Sequence, residues 1–214
     1  MSKYPIFLEL SGRRAVVIGA GAVAARKAQG LLQAGARLTV VAEQSADAVL
    51  TLCRNANAEL IKSKYSKDFL VGATLVIAAT NNRQLNEQIY KDCQELEILC
   101  NAVDQPDLCD FFVPAVVKRG DLQIAIGTEG SCPAYSGHMR KKLAQIFTEQ
   151  HGQFLTLLQA VRKDVIECIT SGPDRKTLLG RLVDDESFEY FRQNGPDAWR
   201  SRAEKIIKEY KTTS

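Results

Sequence analysis

The chain has 214 residues, enough to bury a substantial core as one domain of ordinary size with a smaller appendage. Hydrophobic residues at 45% and charged residues at 25% are usual for soluble globular proteins and exclude a disordered or fibrous architecture. The formal charge of +3 is too slight for a nucleic-acid surface, which needs a concentrated basic stripe, and the longest apolar runs, such as TLVIAA, fall far short of the ~20 residues a membrane helix needs.

Short β-branched runs at 14–18 (RAVVI), 37–41 (RLTVV), 58–61 (AELI), 74–79 (TLVIAA) and 98–101 (ILCN) alternate with segments of helical apolar spacing. Strands alternating with helices predict an α/β fold, a Rossmann-type parallel sheet covered on both faces. Between the first two runs stands VVIGAGAVAARKA. Its Gly19-Ala20-Gly21-Ala22-Val23-Ala24 is GxGxxA, following a strand and opening a helix, the context that gives a dinucleotide fingerprint its meaning. Gly19 permits the tight turn, Gly21 lets the backbone approach a pyrophosphate, and Ala24 lets helix and strand pack closely. Free N–H groups at the helix start, with the positive end of its dipole, then face phosphate.

The fingerprint calls for an acidic residue about 20 positions on, to accept hydrogen bonds from the adenosine ribose. Glu43 fills that place, with Gln44 beside it as a further hydrogen-bonding group. A carboxylate there repels a 2′-phosphate, so NAD is expected rather than NADP. Thr80-Asn81-Asn82 ends the fourth strand at the edge where open α/β sheets bind ligands; capping of the next helix by Asn81 is the competing or concurrent use. Asn101-Ala102-Val103-Asp104 ends the fifth strand on the same edge. Asp104 there is suited to accept a proton, polarise a substrate or bind a cation, or simply to cap a turn.

The pattern changes near residue 111. FFVPAVVKRGDLQIAIGT predicts two antiparallel strands around the turn KRGD, with Gly120 free to take a positive φ. Gly127-Thr128-Glu129-Gly130-Ser131-Cys132-Pro133 leads into a helix, with Ser131 as the expected N-cap and Pro133 in the first turn. Arg140 follows two turns later on the same helix face. Beyond it, apolar residues recur only at helical spacing, broken at Ser171-Gly172-Pro173 and Asn194-Gly195-Pro196. The expected organisation is a nucleotide-fold domain at 1–113, a β-hairpin and helix segment at 114–150, and a small all-helical domain at 151–214.

Six cysteines without a CxxC pair, and an opening MSKYPIF without a secretory signal, lead to the expectation of a reduced, cytoplasmic setting. His138 and His151 have no metal-ligand spacing, and no permanent metal site is expected.

PIFLEL, VVIGAGAVAARKA, VIAATNNRQLN, LCNAVDQPDLCDFFVPAVVKRGDLQIAIGTEGSCPA and the Arg140 helix, in this order and spacing, resemble the precorrin-2 dehydrogenase/sirohydrochlorin ferrochelatase family of siroheme biosynthesis, the N-terminal half of fused siroheme synthases. The resemblance implies NAD-dependent dehydrogenation of precorrin-2 to sirohydrochlorin and, in some members, insertion of Fe2+ as a co-substrate. It puts the family's essential aspartate on Asp104, its NAD contacts on Ala22-Val23 and Glu43-Gln44, and its dimer contacts in the 114–150 segment. Thr128, Ser131 and Arg140 are then anchors for the carboxylates of the tetrapyrrole. The chain departs from the family's serine-rich loop at two places: Thr128 stands for one serine and retains a hydroxyl, whereas Cys132 stands before Pro133 and is a poor hydrogen-bond partner. Two other readings compete: an NAD-sensing regulatory module, which has no use for residues 101–140, and a ferrochelatase without redox activity.

Overall fold

A computed structural model describes residues 3–56 and 58–213, with the side chains of 212 and 213 left aside. The chain divides into two compact units, Met1–Val113 and Pro114–Ser214.

The first unit is built on five strands, β1 (Arg14–Ile18), β2 (Arg37–Val41), β3 (Glu59–Ile61), β4 (Leu75–Ala78) and β5 (Leu99–Ala102). All pair in parallel, in the order β3-β2-β1-β4-β5. Helices α1 (Ala22–Gln33), α2 (Asp47–Ala56) and α3 (Arg83–Glu95) supply three crossovers, and the connection from β3 to β4 carries only a short 3-10 turn, Lys67–Leu70. Successive side chains on a strand point to opposite faces, and here each face has its own apolar layer. Ala15 and Val17 pack with Ala24, Ala28 and Leu31 of α1, whereas Val16 and Ile18 pack with Ile89 and Cys93 of α3. Central strands buried on both faces need continuous apolar runs, and RAVVI and LVIA provide them.

The register fixes where function can sit. Ile18 lies level with Val41 on one side and Ala78 on the other, and Ala78 lies level with Ala102. One further rung follows: the N–H of Gly19 donates to Val41 O at 2.8 Å, that of Ala79 to Ile18 O at 2.8 Å and that of Val103 to Ala78 O at 2.9 Å. Four strands therefore end together, and the next residues of each leave the sheet along one rim. The strand order reverses between β1 and β4, which is the switch point where such sheets leave a crevice.

In the second unit, β6 (Ala115–Arg119) and β7 (Leu122–Ile126) form an antiparallel hairpin with Arg119 opposite Leu122. Gly120, at φ 56°, takes the first turn position, where a tight hairpin wants positive φ. Helix α4 (Pro133–Ile146) has no buried residue. Helices α5 (Glu149–Cys168), α6 (Gly172–Leu182) and α7 (Asp185–Thr213) enclose an apolar core around Phe154, Val161, Leu178 and Trp199. Ser171 caps α6, and α7 is kinked at Gly195 (φ 83°, ψ 175°), immediately before Pro196. The Trp199 indole donates to Ser187 Oγ at 2.8 Å, which donates to Leu182 O at 2.9 Å, so the polar edge of the largest buried side chain is satisfied.

Helix α5 meets the hairpin backbone to backbone. A Cβ on Gly152 would stand 2.6 Å from Arg119 O, closer than any real contact, so only glycine fits. The Arg119 guanidinium then donates to Phe147 O at 2.8 Å and Ala144 O at 3.0 Å, satisfying carbonyls at the end of α4. Two caps fall one residue from expectation. The N-cap of α4 is Cys132 rather than Ser131: Glu129 and Gly130 both turn left-handed, Ser131 N donates to Thr128 O at 2.8 Å, and the helix opens only at Pro133. The N-cap of α3 is Asn82 rather than Asn81, its Oδ1 accepting from Leu85 N at 3.1 Å. Among the described residues, no helix is long and apolar enough to cross a membrane.

Candidate dinucleotide site and the Asp104 rim

Gly19 has φ 109°, and a Cβ there would lie 2.3 Å from Ala79 O. The first fingerprint glycine is thus required twice over, by its left-handed backbone and by the close passage of the β4 end. Gly21 differs. Its φ of −83° suits any residue, and nothing stands within 4 Å of where its Cβ would be. The space beside Gly21 is open, as the approach of a phosphate to the backbone demands.

Gly21 is also the N-cap of α1 and offers no side-chain cap; its carbonyl takes the N–H of Ala25 at 3.0 Å. The N–H groups of Ala22, Val23 and Ala24 therefore lack partners within the helix and sit at its positive end, the arrangement that holds an anion. Ala22 and Val23 are exposed, while Ala24, 1% exposed, is pressed into the apolar layer. Lys27, one turn further along, has its pKa lowered, chiefly by burial and secondarily by the Arg26 charge.

Glu43 and Gln44 leave the rim just past β2, both exposed, and Glu43 forms no ion pair with a described residue. Its carboxylate is free to accept from ribose hydroxyls. Thr80, past β4, has its side chain turned inward: Oγ1 donates to Asn86 Oδ1 at 2.7 Å and accepts from Asn82 N at 3.2 Å. The residues at this edge thus fit a dinucleotide through backbone N–H groups, an open glycine and one carboxylate.

Asp104 lies two residues past β5, exposed, with φ 60°. Aspartate tolerates the left-handed region better than most residues, yet such a conformation persists only where surroundings impose it. Those surroundings are visible. Cys109 Sγ lies 3.3 Å from both Ala102 O and Gln105 O, Asn101 Nδ2 donates to Phe111 O at 2.9 Å, and Asp110 Oδ2 accepts from Cys100 N at 2.8 Å. The returning segment 109–111 is stitched to β5 and holds the Asp104 turn between. Burial raises the Cys109 thiol pKa, keeping it a neutral donor. Asp104 also lines a cavity of about 350 Å³ with Arg83, Glu87, Tyr90, Lys91 and Gln105.

Thr128, Ser131 and Arg140 belong to the second unit. Thr128 Oγ1 accepts from Cys132 N at 3.4 Å, Ser131 is exposed, and Arg140 projects from α4 without an ion-pair partner among the described residues. His151 is a packing and capping residue, its Nδ1 accepting from Thr148 N at 3.1 Å and its ring 4.2 Å from that of Phe188.

Asn86, Cys109 and Asp110 were not singled out by sequence, though all three shape the rim. Asn86 left a trace. It shares the buried face of α3 with Ile89 and Cys93, and a polar residue on an apolar stripe needs a partner.

The family model "Putative NAD(P)-binding" matches residues 6–115. Relatives named siroheme synthase include proteins of Psychrobacter arcticus (36% identical over 165 residues, 77% of this chain and 30% of the relative), Thioalkalivibrio sulfidiphilus (31% over 207 residues, 97% and 42%) and Pseudomonas paraeruginosa (33% over 209 residues, 98% and 44%). The chain thus spans less than half the length of these relatives. A solved structure described as SirC, precorrin-2 dehydrogenase, superposes with a TM-score of 0.80 at 24% identity, covering 97% of this chain and 100% of that one, and shows the shared fold. With that model covering just over half the sequence, the chain belongs to this NAD(P)-binding family.

Proposed function

We propose that the protein is an NAD-dependent dehydrogenase of precorrin-2, forming sirohydrochlorin in siroheme biosynthesis. The carrying observation is the common rim that ends β2, β1, β4 and β5, with the Glu43 carboxylate at one end and Asp104 at the other. Three strand spacings separate β2 from β5, about 14 Å, a span suited to an extended dinucleotide. Siroheme synthase relatives aligned along most of the chain, and a precorrin-2 dehydrogenase of the same fold, supply the substrate class.

Within this reading, Glu43 accepts hydrogen bonds from the adenosine ribose and disfavours a 2′-phosphate. The N–H groups of Ala22 and Val23 hold the pyrophosphate. Bound NAD supplies a hydride acceptor. The Asp104 carboxylate takes the proton that leaves the substrate as its hydride departs, and passes it to water, to which this exposed side chain has access. Insertion of Fe2+ as a second substrate releases two pyrrole N–H protons, and the same carboxylate suits their removal. Thr128, Ser131 and Arg140 engage substrate carboxylates by charge-assisted hydrogen bonds. A homodimer is part of the proposal, supported by α4, which buries none of its residues within one protomer and leaves Tyr135 and Ile146 exposed.

The test is anaerobic incubation with precorrin-2, following the sirohydrochlorin spectrum with NAD, with NADP and with neither, then after adding Fe2+; light scattering on the same sample gives the oligomer. Turnover dependent on NAD is expected from a dimer. Tight NAD binding without any tetrapyrrole turnover would instead mark a nucleotide sensor.

A further inference from the structure

We infer that Asn86 is a positioning residue for the dinucleotide, whose buried amide clamps the turn between β4 and α3 through Thr80. Asn86 is 3% exposed on the apolar face of α3, where a leucine would pack without any desolvation cost. Its amide is instead spent on one residue. Oδ1 accepts from Thr80 Oγ1 at 2.7 Å and from Thr80 N at 3.3 Å, and Nδ2 donates to Thr80 O at 3.2 Å. All the polar groups of Thr80, main chain and side chain, are thereby tied to a single side chain six residues on. The Thr80 hydroxyl in turn accepts from Asn82 N at 3.2 Å, and Asn82 caps α3.

This turn is in backbone contact with the fingerprint. Ala79 O lies 2.3 Å from where a Gly19 Cβ would be, so a small displacement of Thr80 shifts the wall against which the glycine loop rests. With its hydroxyl committed inward, Thr80 serves the cofactor through the main chain it holds in place, and Asn86 fixes that main chain. The inference rests on the dinucleotide reading of the rim and extends it to two residues that touch each other rather than the ligand.

The test measures NAD affinity calorimetrically in the full chain at a temperature where circular dichroism shows every variant folded. Thr80→Val and Asn86→Leu each weaken binding about fivefold to tenfold, and the double variant is no weaker than the worse single one because the two act as a unit. Thr80→Ser, which restores the hydroxyl, binds within about twofold of the unaltered chain. Lowered melting temperatures with unchanged NAD affinity would overturn the inference, as would equal weakening by Thr80→Val and Thr80→Ser, or effects that multiply in the double variant. Should Asn86→Leu not fold, the Thr80→Val and Thr80→Ser pair decides by the same criteria. No NAD binding by the unaltered chain would overturn the dinucleotide reading and the clamp with it; normal binding indifferent to Thr80→Val overturns the clamp alone.

Discussion

Gly19 and Gly21 are two letters of one motif, yet the structure asks different things of them, and substitution separates the two. Gly19→Ala drives a methyl to 2.3 Å from Ala79 O at a φ of 109°, and is expected to cost about 3 kcal/mol or more of folding stability in chemical denaturation. Gly21→Ala meets nothing within 4 Å, so its Tm should stay within about 2 °C of the parent while NAD affinity drops about tenfold or more, because the methyl occupies the phosphate approach. Calorimetry on the two variants checks both halves. Tyr65 gives a pH signature. Its hydroxyl donates to Asp92 Oδ2 at 2.6 Å, and burial, then that hydrogen bond, raises the phenol pKa well above its ordinary value. A group whose folded pKa is raised stabilises fully below its unfolded pKa, about 10 for tyrosine, and loses that contribution as pH climbs beyond it. Urea midpoints should therefore fall above about pH 10, and Tyr65→Phe should flatten that decline while costing about 2 kcal/mol at neutral pH.

Strands, helices and the hairpin were readable from side-chain type alone because their signals are local. RAVVI and TLVIAA are continuous apolar runs, and a strand covered on both faces has no other choice of composition. KRGD likewise marks a reversal, since glycine alone accepts the turn's left-handed position cheaply. What the sequence could not tell is where one element leans on another. Asn81 and Asn82 are equally good caps as letters, and the Thr80 hydroxyl, by holding Asn82 N, decides between them. Ser131 outranks Cys132 as a cap by propensity, but two successive left-handed residues at Glu129 and Gly130 delay the helix by one position. Gly152 stands inside a helix, where glycine is usually unfavourable, and only the packed hairpin explains it. Gly152→Ala should destabilise the protein by about 1–3 kcal/mol despite its better helix propensity, the new methyl meeting Arg119 O at 2.6 Å. Thermal unfolding followed at 222 nm checks the sign, which propensity alone would give as the opposite.

The parallel sheet of Met1–Val113 brings Glu43 and Asp104, 61 positions apart in the sequence, onto one edge by register alone. The placing of the fingerprint, Glu43 and Asp104 on one rim was legible before the fold, because each follows a strand end whose position follows from topology. The stitching of 109–111 to β5, which holds Asp104 at positive φ, was not, since it depends on a chain reversal that no periodicity announces. On this account the carboxylate moves protons and contributes little to holding either ligand. The decisive measurement is an anaerobic single turnover of precorrin-2 by the NAD-loaded protein, comparing the parent with Asp104→Asn, an isosteric change that suits the same backbone. Unchanged NAD affinity is expected, with a rate of NADH formation lower by about 100-fold or more; NADH formation at the parental rate would rule out Asp104 as the proton acceptor.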